Sequence, residues 1–260
     1  MECKNCQRPL TSDTNFCLQC GAKVIRNRLT FKILWMDFQE RFLNYDNTFL
    51  RTLIHLFSRP QEVILGYIEG VRKKYMDPIS YFGIALTLSG FQVFLTKRLF
   101  QNSIDMDIFH SGMNQEVFRK TFTTALDYQA LIFVLIIPLF AFCGWLVMNR
   151  RRHLFTEHIV TSTYILAQYT IVTTPVNICL LFLWPEIYAS FGFSGFLLMI
   201  AYALYAYQRI GEYRIGWFLF RACLFLMSFG ALYLLFSILI MITLIITGVV
   251  SPEELKGPHG

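Results

Sequence analysis

The stretch Tyr128 to Met148, YQALIFVLIIPLFAFCGWLVM, holds no charged residue and is followed at once by Asn149-Arg150-Arg151-Arg152. A hydrocarbon core of about 30 Å is crossed by roughly 20 helical residues, so this run has the length of one membrane span. The arginines stand where cationic side chains end a span at the water interface. Barrel strands would instead alternate apolar and polar residues over short segments, so the run reads as a helix.

Further runs of the same kind lie on either side. Pro78 to Thr96 comes before it, closed by Lys97 and Arg98. After it come Ile159 to Trp184, with Pro175 expected to kink the helix, and Ile187 to Tyr207. Pro185 and Glu186 are expected to form the hairpin between these two. The last run, Trp217 to Val250, would extend on the order of 50 Å as one helix, too long for an upright crossing. We expect one crossing there, preceded by an interfacial turn over Trp217 to Phe220, with Arg221 reaching the headgroups and Gly230 allowing a bend. That gives about five spans, with six as the alternative.

Composition agrees. Of 260 residues, 55% are hydrophobic and 15% charged, against about 45–50% and about 25% in soluble domains. Aromatics reach 17%, with 26 Phe and 13 Tyr, as suits two membrane interfaces. The formal charge of +6 sits beside apolar runs, so nucleic acid is not an expected partner; the lipid bilayer and its anionic headgroups are. The first twenty residues are polar and cysteine-rich, unlike a secretory signal. Insertion is therefore expected to be directed by the spans.

Orientation follows from the flanking cations. With the N-terminus inside, the inner flanks carry Arg72, Lys73, Lys74, Arg150, Arg151, Arg152, Arg209 and Arg214. The outer flanks carry Lys97, Arg98, Arg119, Lys120 and Lys256. Eight against five favours a cytoplasmic N-terminus.

The N-terminus reads Cys3-Lys4-Asn5-Cys6, then Cys17-Leu18-Gln19-Cys20-Gly21. Two C-x-x-C pairs supply four soft ligands, the set of a tetrahedral structural zinc ion. Gly21 permits the turn that such a knuckle needs, and Phe16 is expected to supply a small core. A redox pair is the weaker reading, since no βαβ pattern accompanies the cysteines. Four thiolates leave no open coordination position, so the zinc is expected to be structural, in a reducing compartment. Cys143, Cys179 and Cys223 stand singly in apolar runs and read as small apolar side chains.

Phe31, Leu34, Trp35, Phe38 and Phe42 recur at helical spacing, as do Phe49, Leu50, Leu53, Ile54, Leu56 and Phe57; a third stretch starts at Pro60. These are amphipathic helices. Two readings stand: they pack on the inner mouth of the bundle, or they lie on the membrane with Arg72, Lys73 and Lys74 on anionic headgroups. The fold class is thus an all-α polytopic membrane protein with a small N-terminal zinc ribbon and cytoplasmic amphipathic helices. Its divisions are a ribbon (1–24), amphipathic helices (25–76), a transmembrane domain (77–250) and a polar tail (251–260).

The ribbon, Arg28-Leu29-Thr30-Phe31, Phe49-Leu50-Arg51-Thr52-Leu53, Arg59-Pro60, Tyr67, Gly70-Val71-Arg72-Lys73-Lys74-Tyr75, Pro78 and Tyr81 carry a likeness. Together with Glu157-His158, they resemble a bacterial membrane family known as domain of unknown function 3667, most specifically over residues 1–82. The resemblance implies a bacterial inner-membrane protein and brings no activity with it.

Polar residues in or near the spans are few. His153, Glu157 and His158 lie at helical spacing and have the chemistry to hold a metal or act on a lipid headgroup, but an interfacial helix start is the simpler reading. Thr163, Ala167, Thr170, Thr174 and Asn177 share a face of the third span, with Gln168 nearby. Such a row suits either a permeation path or close helix packing. No Asp, Glu, Lys or His is expected deep in a span. The expected function is a non-catalytic scaffold or regulator whose ribbon and amphipathic helices bind a cytoplasmic protein partner or the membrane surface. The alternatives are a small-solute transporter or channel using Thr170 and Asn177, and a lipid-modifying enzyme using His153, Glu157 and His158.

Overall fold

The computed structural model describes residues 2–11, 14–22, 24, 30–32, 48–100, 124 and 126–246. The chain divides into two compact units, Met1–Asn47 and Thr48–Gly260. The expected apolar face at Leu34, Trp35, Phe38 and Phe42 lies outside the described residues, as do most of the segment between the first two spans and the tail from 247 onward.

Seven helices are described in the second unit: α1 (Thr48–Ser58), α2 (Pro60–Ile68), α3 (Pro78–Phe100), α4 (Gln129–Val147), α5 (Phe155–Leu183), α6 (Pro185–Gly211) and α7 (Ile215–Ile246). No strand occurs among the described residues; the β-bridge of Glu2 with Pro9 belongs to the first unit. Four helical stretches are long and apolar enough to cross a membrane: Pro78–Arg98, Gln129–Val147, Phe155–Leu183 and Ile215–Thr243. The remaining expected span, Ile187 to Tyr207, falls within α6, where several side chains of the first turns lie outside the described residues.

Start and stop signals account for the boundaries. Asp77 accepts the Ser80 N–H at 2.9 Å and so caps α3, with Pro78 in the first turn, where no donor is needed. The hairpin after α5 turns on Trp184 alone, one residue earlier than expected. Pro185 and Glu186 already belong to the first turn of α6. α5 runs through Pro175 without ending, and α4 through Pro138.

α5 is the central element. It packs on α3, α4 and α6, while α7 leans on α4. One apolar cluster joins Phe140, Ile165, Leu166, Tyr207, Phe225 and Phe229. A second joins α1 and α2 to the spans through Leu56, Val63, Ile64, Tyr81, Ala85, Tyr164 and Ala167. α7 leaves Met227, Leu234, Leu235, Ile238 and Leu239 exposed along its length. A continuous apolar surface of that extent is foreign to soluble monomers and suits a hydrocarbon solvent.

α7 is one helix of 32 residues, roughly 48 Å at 1.5 Å per residue. The expected interfacial turn is therefore continuous with the span. Arg221 does not turn away toward headgroups: its guanidinium donates to the Val147 carbonyl at 2.6 Å and lies 5.3 Å from the Tyr213 ring centroid. The last carbonyls of α4 lack helical donors and carry the negative end of its dipole, which is what draws the cation inward.

Candidate functional site

Within the first unit, the four cysteines converge. The sulfurs of Cys3, Cys6, Cys17 and Cys20 all lie within 4.8 Å of one another, with Cys3 to Cys20 at 3.6 Å and Cys6 to Cys17 at 3.5 Å. A disulfide needs about 2.05 Å. Four thiolates about 2.3 Å from a tetrahedral zinc ion would stand roughly 3.8 Å apart, so these spacings fit a metal.

Both knuckles use one backbone pattern. The Cys3 N–H donates to Arg8 O at 2.8 Å and the Gln7 N–H returns to Cys3 O at 2.8 Å. Fourteen residues on, the Cys17 N–H donates to Ala22 O at 2.8 Å and the Gly21 N–H returns to Cys17 O at 2.8 Å. The fourth residue after each leading cysteine takes a left-handed conformation: φ is 59° at Gln7 and 68° at Gly21. The glycine was legible in the sequence; Gln7 was not, because nothing but its place in the repeat marks it. Phe16 is about half exposed rather than buried as a core residue.

The thiols polarise one another. Cys20 is pulled down to about 6, chiefly by a hydrogen bond from Asn5 and then by the Ala22 backbone. Cys6 moves the other way, to about 12: the Arg8 backbone lowers it, but Cys20, burial, Cys17 and Cys3 together outweigh that. Cys17 is lowered too, chiefly by the Cys20 and Gln19 backbone, and thiols drawn toward the thiolate form are ready to bind a cation and release protons.

In the second unit, α1 and α2 are held to the spans by polar side chains that reach backbone groups. Gln168 on α5 donates to Leu53 O at 3.1 Å and accepts from the Tyr81 hydroxyl on α3. The Tyr164 hydroxyl donates to Met76 O at 2.7 Å, and the Met76 N–H donates to Thr52 Oγ1 at 2.9 Å. From α6, Tyr202 donates to Leu56 O at 3.1 Å and Tyr205 to Phe57 O at 2.9 Å. Leu50, Ile54 and Phe57 remain exposed on the other side of α1. The packed reading thus describes one face, and an apolar surface remains on the other.

The cationic residues divide. Arg72 lies 3.8 Å from the Tyr67 ring centroid and Lys74 is 3.8 Å from Glu62; both are exposed, like Lys73. Arg150 turns back to the end of α6, donating to Gly211 O at 3.0 Å and to Glu212 O. Arg151 pairs with Glu212 at 2.8 Å. Arg152 is exposed, with φ at 56°.

His153, Glu157 and His158 do not form one site. Glu157 accepts the Leu154 N–H at 2.8 Å, closing the first turn of α5 as half a capping box, since leucine has no acceptor to return. His158 is 3% exposed and lies in the first turn of a stretch able to cross a membrane. Along α5, Thr163, Gln168, Thr170 and Thr174 are buried and Asn177 partly so. The Thr163 hydroxyl turns back on its own helix, to Ile159 O at 2.8 Å. Other span polar groups bridge helices: Gln129 to Ser89 at 3.0 Å and Gln92 to Tyr188 at 3.3 Å.

A family model described as "Protein of unknown function (DUF3667)" matches residues 46–90. That segment comprises α1, α2 and the first half of α3, the part whose backbone receives the bonds from Tyr164, Gln168, Tyr202 and Tyr205. No curated protein and no solved structure matches the chain.

Proposed function

We propose that the chain is a multi-pass scaffold or regulator of a bacterial inner membrane, non-catalytic, with a structural zinc ion held by Cys3, Cys6, Cys17 and Cys20. The observation that carries this reading is the closed set of four sulfurs: a metal bound there has no free position for a substrate. The span polar groups point the same way, since those just described serve helix packing and the docking of α1 and α2. α6 runs antiparallel to α5, with Tyr188 near Thr96 at one end and Tyr207 against His158 at the other. We count it as the fifth crossing.

The basic flanks and the thiolates support a cytoplasmic N-terminus. There the zinc module binds a protein partner, while Arg72, Lys73, Lys74 and Arg152 face anionic headgroups. The test uses the full chain in its membrane. It should carry one zinc ion per chain; Cys17→Ser should lose the metal and, with it, a specific cross-linked cytoplasmic partner. Identical cross-links with and without the metal would sink the scaffold reading. A second reading, a small-solute carrier, is supported by the buried threonine row at Thr170 and Thr174. Flux into proteoliposomes that falls in Thr170→Val or Asn177→Leu would favour it instead.

A further inference from the structure

At the Arg150 end of the bundle, two helices bring unpaired polar atoms together beside a third. Both ring nitrogens of His158, the Ser162 hydroxyl and the Tyr207 hydroxyl are buried without a well-formed hydrogen bond, the two hydroxyls standing close enough to interact only weakly with each other. Exposure is 3% for His158, 0% for Ser162 and 2% for Tyr207. His158 and Ser162 are one turn apart on α5, and the Tyr207 ring on α6 stacks against His158 with centroids 6.1 Å apart. On α4, Gly144 makes room for them. A β-carbon there would overlap the Tyr207 hydroxyl and stand 3.2 Å from His158 Nδ1.

Each such orphan keeps its full desolvation penalty when nothing pairs with it. Four in one place are not tolerated by a dry bundle. No carboxylate is among them, so a bare cation is poorly served; two hydroxyls and a neutral imidazole each offer a donor and an acceptor, the set a water molecule matches. Deeper in the bundle the neighbours are apolar, with Phe140, Ile165 and Phe225 in the same cluster. Toward the surface stands the half-buried His153, its ring centroid 6.1 Å from that of His158. The polar node therefore ends within the bundle instead of running through it.

We propose that His158, Ser162 and Tyr207 form a buried hydration site inside the bundle, holding one or more ordered water molecules. Tyr81 supplies the internal control. It is also fully buried, but its hydroxyl is paired to Gln168.

X-ray hydroxyl-radical footprinting of the full chain in nanodiscs reads this directly, because bound water generates radicals beside side chains that bulk solvent cannot reach. Tyr207 should be oxidised several-fold more than Tyr81, and His158→Leu should bring Tyr207 down to the Tyr81 level. Equal oxidation of the two tyrosines, whether both low or both high, overturns the site. So does a Tyr207 signal that His158→Leu leaves unchanged. Should that variant fail to fold, Ser162→Ala provides the same comparison with a smaller volume change.

Discussion

The hydroxyl of Tyr202 donates to the carbonyl of Leu56 at 3.1 Å, a carbonyl whose helical partner would have been the N–H of residue 60, a proline. Proline has no N–H, so α1 ends with that acceptor unserved by its own backbone. Tyr205 serves the next carbonyls, Phe57 at 2.9 Å and Ser58 at 3.4 Å. The end of α1 is thus capped from α6, and the amphipathic pair is tied to that helix by its backbone as well as by its apolar face.

Replacing Tyr202 with Phe keeps the ring and removes the donor. Leaving the Leu56 carbonyl unpaired should cost about 1–2 kcal/mol locally. Hydrogen exchange of the α1 amides in nanodiscs should then speed up by roughly tenfold. Tyr205→Phe should do less, because its bonds are exposed. Unchanged exchange in Tyr202→Phe would show that apolar packing alone holds α1.

Gln168 joins three helices, since Leu53, Tyr81 and the glutamine itself lie on α1, α3 and α5. At 1% exposure it has no water to fall back on. Gln168→Leu should lower stability by about 1–3 kcal/mol, because it orphans the buried Tyr81 phenol and removes the added bond to the Leu53 carbonyl. Adding Tyr81→Phe should recover part of that loss, a non-additivity expected of contacting residues. Thermal unfolding in detergent of the two single variants and the double variant decides the matter; strictly additive losses would dissolve the junction.

Asp77 gives the bundle a dependence on pH. Burial pushes its carboxyl upward, but the hydrogen bonds from Ser80 outweigh burial and hold it below the ordinary 3.8. The folded state therefore prefers the carboxylate. Its contribution is complete above the unfolded value of about 4 and fades as pH falls through the lower folded value. Asp77→Ala should cost about 1 kcal/mol at neutral pH, as loss of an N-cap does. The gap from the parent should narrow below that window. Unfolding midpoints at neutral pH and at pH ~3 would test this; an undiminished gap in acid would remove the charge from the explanation.

The spans and the cysteine cluster were legible in the sequence for physical reasons. Lipid tolerates only long apolar helices, and two C-x-x-C pairs leave few alternatives to a metal. Tyr202, Tyr205 and Gln168 were not, because an aromatic or amide in a span looks alike whether it faces lipid, a neighbouring helix or an unserved carbonyl. Pro60 was the available clue: it announces a vacant acceptor four residues earlier. The burial of His158 was not legible because His153 to His158 reads as a polar helix start. Only the packing of α4 and α6 around it shows that the ring is turned inward.

The exposed flank of α7 offers the sharpest test of what surrounds the bundle. Leu235 and Leu239 are 62% and 61% exposed, and both lie well beyond Arg221, the residue that meets the end of α4. In water, an exposed leucine can become arginine at a cost within about 0.5 kcal/mol. At the centre of a span the same change costs about 2.5–3.5 kcal/mol of insertion free energy. Trp217 is 64% exposed too, but it precedes Arg221 and falls at the interface, where a cation is at home. Leu235→Arg should therefore shift much of the chain out of the alkali-resistant membrane fraction, whereas Trp217→Arg should leave it there. Equal behaviour of the two variants would mean that α7 meets something other than hydrocarbon, and the solvent assigned to its flank would have to change.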